Sequence, residues 1–452
     1  MSLLSKSLTE SDVMILDAQT LKDLDIFDSN DVEESLYAFC NLTQTEGGAK
    51  VLRRRMERPW SEASLIRATQ ESLSFILSNR QIFTKLPSAY ITSRTERYTS
   101  DVLPLVTQDS LVEFSLSAFS LWANQDSHYA SIVRGVQITS RFIWALQQFL
   151  SQPELASSLG ELTPLVEEMR TLIAHPKISL ASHQPKKSWA WKTLRLDQVF
   201  RLHEKEALSR LLQLIFEIDA LVAMADVTRN KGFVLPEIQE GSLRVSAEGL
   251  VHPFLEKAVA NSVELDQRRR LLFLTGPNMA GKTTYLRTFA TALYLAHLGM
   301  GVPASSFRFV PANRLFSSIS LTDDLRSGIS YFRAEALRIK AIAHAVAEGH
   351  RVIAVMDEPF KGTNVKDAYD ASLAILERLA IREDCLFVFS SHLIELSEHL
   401  SSSKEIVCCY FEAKEGEGRL RFDYKLRSGV SDQRLGMRVL QEEGVFELLD
   451  SP

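Results

Sequence analysis

Gly276, Gly281, Lys282 and Thr283 stand at the spacing a phosphate-binding loop requires: a glycine, four residues, then Gly-Lys-Thr. The full run is Thr275-Gly276-Pro277-Asn278-Met279-Ala280-Gly281-Lys282-Thr283-Thr284. Glycines let successive backbone N–H groups turn toward an anion, and a helix N-terminus behind them adds partial positive charge. Lys282 brings a full charge to the terminal phosphates, and the Thr283 hydroxyl can ligand Mg²⁺. The pattern implies a site for a nucleoside triphosphate, with ATP and Mg²⁺ as the bound species. A chance glycine-rich turn is the competing reading, and the flanks argue against it. Leu271-Leu272-Phe273-Leu274 reads as a buried strand, and Tyr285 to Leu298 as a helix free of Gly and Pro.

A phosphate loop needs a second strand that brings an acid to the metal. Val352-Ile353-Ala354-Val355-Met356 is such an apolar run, and it ends in Asp357-Glu358. Asp357 is then a metal ligand, and Glu358 a general base for an attacking water; a helix cap after a strand is the plainer alternative. Leu386–Phe389 leads into Ser390-Ser391-His392, which puts a histidine where it can touch the terminal phosphate. In the stretch from Asp323 to Phe332, the small residues Ser327, Gly328 and Ser330 precede a helical run from Tyr331 to Ala347. That is either a second anion-binding helix start or an ordinary cap.

The elements that must position these groups follow from periodicity. Short β-like runs alternate with helical ones beyond Arg229-Asn230-Lys231-Gly232 and Pro236, which predicts a mostly parallel α/β sheet. The half before that boundary is dense in helical patterns. From Asp197 to Asp226, Leu208, Leu211, Leu212, Ile215, Ile218 and Val222 recur at steps of three and four. Thirty residues of helix would run about 45 Å, a lever or strut. Two domains are expected, an all-α one over 1–230 and a nucleotide-binding one over 231–452. The 452 residues are 45% hydrophobic and 24% charged, as in soluble globular chains. No apolar run reaches the roughly 18 residues of a membrane span, and the polar start from Met1 to Asp12 lacks a signal core. Cys40, Cys385, Cys408 and Cys409 have no metal-ligand spacing and read as reduced thiols of a cytoplasmic protein. With 57 acidic against 51 basic residues the net charge is −6, so bulk charge gives no argument for nucleic-acid binding.

With those residues laid out, the second half resembles the ATPase domain of the MutS family of mismatch-repair proteins. The Thr275–Met279 form of the loop, Met356-Asp357-Glu358 followed by Gly362-Thr363, the 323–332 stretch, Ser391-His392, and Gly299–Ala304 come in the family's order, as do Leu426–Gly429 and Leu435-Gly436. Leu16–Phe27, Thr43–Gly47, Asp219–Leu221 and Pro236-Glu237 resemble parts of the family's core and lever helices. The resemblance implies an ABC-type P-loop ATPase domain preceded by an all-α core/lever domain, working as a homodimer in DNA repair or recombination. Ser327, Gly328 and Ser330 would then complete the opposite subunit's nucleotide. Tyr410 takes the place of the family's adenine-stacking histidine and Ala258 that of its other aromatic, with His252, Pro253 and Val259 as a substitute wall. Duplex or branched DNA and other repair proteins are the implied partners, with no membrane.

Departures from the family sharpen the expectation. The chain opens at the core domain, so no autonomous mismatch recognition is expected, and Phe254-Leu255-Glu256 is a chance copy of the mismatch-reading triplet. Between about Thr95 and Leu196 the likeness fades. His183–Lys192 there offers Lys186, Lys187 and Lys192 as phosphate contacts, or Trp189 and Trp191 as packing groups. Lys50, Arg53, Arg54, Arg55 and Arg58 read as a solvated, salt-bridged helix face. Ala280 stands where glycine is usual, and Pro359-Phe360-Lys361 replaces a smaller run after Glu358, which suggests slow or retuned hydrolysis. The 95–196 segment discriminates two functions. Basic open arms would favour DNA, whereas a compact acidic bundle would favour an ATP-gated scaffold for a protein partner.

Overall fold

The structure is a computed structural model, and it describes residues 10–28, 35–123, 127–157, 159–179, 189–277, 279–320, 331–416, 419–431, 433 and 445–449. Asn278, Lys186, Lys187, Leu435, Gly436 and the trio Ser327, Gly328 and Ser330 lie outside the described residues. The chain divides into two compact units. Among the described residues one holds Cys40–Glu57 and Arg67–Arg229, the other Thr9–Phe39, Arg58–Ile66 and Asn230–Pro452. This differs from a single cut at 230, because two early segments pack with the second unit.

In the helical unit, helix Lys205–Asn230 is buried over most of its length, from Leu208 to Thr228. The single helix expected from Asp197 is interrupted. Helix Ala190–Gln198 passes into a π turn, Val199–His203, and stops at Glu204 before the chain restarts. The interruption coincides with a buried ion pair, in which Arg201 Nε reaches Asp197 Oδ1 at 2.6 Å while its other nitrogens donate to the Leu103 and Pro104 carbonyls. Farther along, Asp219 accepts from the Gln44 and Thr45 backbone N–H groups and from Thr45 Oγ1, which starts helix Glu46–Glu57. Gly47 is required there, since a Cβ would lie 2.4 Å from the Phe216 ring.

The described residues of 95–196 do not form open arms. Helix Ser127–Leu150 packs against Ala89–Ser100 and Ala190–Gln198, burying Phe142, Ile143, Leu146 and Phe149. Nor is it acidic, because its acidic and basic residues balance. Trp191 packs edge-on to Phe114, and its Nε1 donates to Ser115 Oγ at 3.2 Å, whereas Trp189 is exposed. In the basic helix Glu46–Glu57, Lys50 pairs with Glu46 and Arg53 with Glu57 on the exposed face. Arg55 turns inward to a buried pair with Glu161.

The second unit is built on a six-stranded sheet. Its strands are β1 (Glu237–Ile238), β2 (Val245–Leu250), β3 (Asn261–Leu265), β4 (Leu271–Thr275), β5 (Ser306–Phe309), β6 (Arg314–Ser318), β7 (Val352–Asp357), β8 (Cys385–Ser390), β9 (Ile406–Gly416) and β10 (Arg419–Ser428). The large sheet runs β10-β9-β4-β8-β7-β6, parallel except for β10, and a smaller one runs β1-β5-β2-β3. β4, β7 and β8 are apolar on both faces because helices such as Lys282–His297 and Val365–Ala380 cover them. Residues 10–39 add to this unit at the sheet's far edge. Asp23 accepts from Ser317 Oγ (2.9 Å), Ile319 N (2.7 Å) and Ser320 N (3.1 Å), so helix Ala18–Asp23 covers β6. No helix among the described residues is long and apolar enough to cross a membrane.

Candidate functional site

Sheet order brings the sequence motifs to one edge. β4 lies between β8 and β9, and β7 is next to β8, so the C-terminal ends of β4, β7 and β8 open side by side. In a parallel sheet that end is where ligands bind. Past Thr275 the chain turns sharply: Gly276 has φ +135°, Met279 +67° and Gly281 +105°. A Cβ at Gly276 would lie 2.6 Å from the Phe411 carbonyl oxygen, so only glycine passes. Gly281 then delivers the chain into helix Lys282–His297.

Lys282 is 4% exposed and points back into its own loop. Its Nζ donates to the Gly276 carbonyl at 2.7 Å and the Pro277 carbonyl at 3.3 Å, and lies 3.3 Å from Glu358 Oε1. His392 Nδ1 is 3.4 Å away. Asp357 ends β7 directly opposite Ser390 of β8, whose hydroxyl donates to Asp357 Oδ1. Thr283 Oγ1 donates to Asp357 Oδ2 at 2.6 Å. A hydroxyl and a carboxylate oxygen held side by side are a hard-oxygen pair suited to Mg²⁺, which takes one or two protein oxygens and leaves room for phosphates and water. The donor set fits the metal.

Glu358 leaves the strand with φ +50° and meets three cationic or proton-bearing groups. His392 Nε2 contacts Oε1, Lys361 Nζ sits 2.5 Å from Oε2, and Lys282 completes the ring. Burial pushes the Glu358 carboxyl up, but the hydrogen bonds from His392 and Lys361 and the nearby charges outweigh it and hold it at about 2. Burial likewise lowers Lys282, opposed by Glu358 and Asp357.

Beside the loop lies a cavity of about 480 Å³, lined by His252, Leu255, Ala258, Val259, Asn261, Met279, Gly281, Tyr285 and Tyr424 among others. Of the substitute wall expected from sequence, His252 and Val259 line the cavity, beside Ala258, and Pro253 does not. Tyr410 does not line it either. It sits in β9 paired with Thr275 and Arg427, while Tyr424 faces the cavity from β10. Strand register slips between Phe422 and Leu426, and Asn261 fixes the slip. Its Nδ2 donates to the Tyr424 carbonyl at 2.9 Å and its Oδ1 accepts from Leu426 N at 2.8 Å. Tyr424 takes φ +54°, and its ring comes close enough to Gly281 that a Cβ there would sit 3.3 Å away. Burial, with the Arg287 charge second, lowers His252 to about 4, so that wall is neutral near pH 7.

Residues 272–448 match the family model of MutS domain V, a span that contains Lys282, Thr283, Asp357, Glu358, His392 and Tyr424. Over this segment the chain is similar to the MutS family. It is 34% identical over 242 residues to the DNA mismatch repair protein MutS of Brevibacillus brevis, an alignment covering 52% of this chain and 28% of that relative. The chain thus spans about a quarter of the length of the curated MutS it matches.

Within the MutS-type site, sequence reasoning missed Ser390, Lys361, Asn261 and Tyr424. Ser390 carried a signal, since it ends an apolar strand beside the Asp357 strand. Lys361 was noted only as part of an unusual run. Asn261 and Tyr424 lie 163 residues apart, and no local pattern joins them.

Proposed function

We propose that this chain is a MutS-type ATPase that binds ATP with Mg²⁺, pairs with a second copy and couples nucleotide turnover to helical elements acting on DNA in repair or recombination. Lys282 and the loop from Gly276 to Thr284 hold the phosphates. Thr283 and Asp357 hold Mg²⁺, which would offset phosphate charge. Glu358 receives the proton of the attacking water, and His392 monitors the terminal phosphate. Ser327, Gly328 and Ser330 would reach the nucleotide of the partner copy. Tyr424, rather than Tyr410, stacks on the base. The observation that carries this reading is the convergence of Lys282, Thr283, Asp357, Glu358 and His392 on one loop from separate strand ends. Glu358 is too acidic for a base while His392, Lys361 and Lys282 all hold it. Drawing Lys282 onto phosphate would return basicity to it.

Replacing Glu358 by Gln should leave ATP affinity intact and abolish steady-state hydrolysis; full turnover in that variant removes Glu358 from the role. Support for DNA comes from the helical unit. Arg94, Arg97, Arg134 and Arg141 line one cleft of about 600 Å³ with Tyr90 and one carboxylate, Asp101, and none of the four has an ion-pair partner among the described residues. Guanidinium groups in such a cluster suit phosphate oxygens. The scaffold reading retains one specific support. Helix Leu111–Ala123 exposes Leu111, Val112, Leu116 and Phe119, each by more than 60%. Failure to shift homoduplex, mispaired and four-way-junction DNA alike, with and without ATP, would select it over DNA.

A further inference from the structure

The three residues after Glu358 are held in a conformation that needs an explanation. Glu358 has φ +50° and Phe360 φ +71°, on either side of Pro359. Non-glycine residues in that region are strained and persist only where surrounding structure imposes them. The Glu358 N–H is held by Ser390 of β8, and the two restraints on the residues after it come from one helix, Tyr331–Ala347. Phe332 packs its ring 5.8 Å from that of Phe360, which is 3% exposed. One turn on, Glu335 is 1% exposed, and the backbone N–H groups of Phe360, Lys361 and Gly362 face its carboxyl. The Lys361 N–H donates to Oε1 at 3.3 Å, while Oε2 has no hydrogen-bond partner among the described residues. A carboxyl buried with one oxygen unsatisfied costs stability, so its presence calls for a reason. The loop it grips also carries Lys361, whose ammonium touches Glu358.

We infer that Glu335 is a positioning residue for Glu358: its carboxyl pins the strained 359–362 loop, so helix Tyr331–Ala347 sets where the catalytic carboxylate points. This rests on the ATPase reading above. It makes the helix, whose start adjoins Ser327, Gly328 and Ser330 in sequence, a control over hydrolysis rather than over nucleotide binding.

The test separates binding from chemistry, using the full chain with a fluorescent ATP analogue for affinity and single-turnover hydrolysis across pH. Glu335→Ala should bind nucleotide within about threefold of wild type yet hydrolyse at least about tenfold more slowly, as misplacing a catalytic group by an ångström can do. Glu335→Gln keeps an acceptor carbonyl and should recover much of that rate. Should Glu335→Ala not fold, Phe332→Leu carries the test, with the same split expected and a smaller loss of rate. Wild-type single-turnover rates in the folded variants overturn the inference and leave the ATPase reading standing. A wild-type chain that hydrolyses no faster than Lys282→Ala overturns both.

Discussion

At the residue scale the decisive group is the aromatic at the cavity. Tyr424 and Tyr410 are both β-strand tyrosines near the phosphate loop, and only Tyr424 lines the cavity. Base stacking on an aromatic ring contributes about 1–3 kcal/mol, so Tyr424→Ala should weaken ATP binding by roughly tenfold or more. Tyr410→Ala should do much less, and equal losses measured by nucleotide titration would reject the assignment. The contrast shows where the sequence was readable. Asp357, Glu358 and His392 each follow an apolar run within three residues, Lys282 follows one across the glycine loop, and strand ends in a parallel sheet meet at one edge, so local order makes them legible. The place of Tyr424 at the cavity depends on a slipped register held by Asn261 from 163 residues away, which no spacing encodes.

At the scale of elements, one buried histidine joins the phosphate-loop helix to the strand region after it. His297 ends helix Lys282–His297, contacts the Leu293 carbonyl at 2.7 Å through Nδ1, and accepts from the Ala312 N–H through Nε2 at 3.0 Å. Burial lowers its pKa from 6.5 to about 4, opposed by the hydrogen bond to the Leu293 carbonyl. A histidine depressed in the folded state stabilises above its unfolded pKa, and that contribution is lost as pH falls from about 6.5 toward 4. The loss reaches on the order of 3 kcal/mol at the lower end. Melting curves of wild type and His297→Gln should therefore converge as pH drops through this window; parallel curves would refute the coupling. The helices themselves were legible as periodic stripes, but the break at Glu204 was not. Leu208, Leu211 and Leu212 keep their period regardless of what precedes them, whereas the π turn goes with Arg201 reaching residues almost a hundred positions earlier.

For the whole molecule, net charge conceals how charge is placed. The chain is acidic overall, yet four arginines share one cleft of the helical unit with a single carboxylate, Asp101. If these meet duplex phosphates, log affinity should fall against log salt with a slope near −0.9 per phosphate contacted, and each Arg→Ala should flatten it by about one. An unchanged slope in Arg94→Ala and Arg134→Ala would remove the cleft from DNA binding. Pairing with a second copy is expected to need nucleotide. Sedimentation in saturating ATP and magnesium should show a dimer for wild type and not for Lys282→Ala, and a wild-type monomer under those conditions would defeat the proposed arrangement.

The Asp23 carboxylate caps residues made 294 positions later. At about 5–20 residues per second, the ribosome takes on the order of 15–60 s to deliver Ser317 after Asp23 has emerged. The unit with the phosphate loop is therefore assembled from an early and a late piece of the nascent chain. Its first segment must wait in solvent, and a fragment begun at Asn230 would leave β6 as an open edge for other chains to pair with.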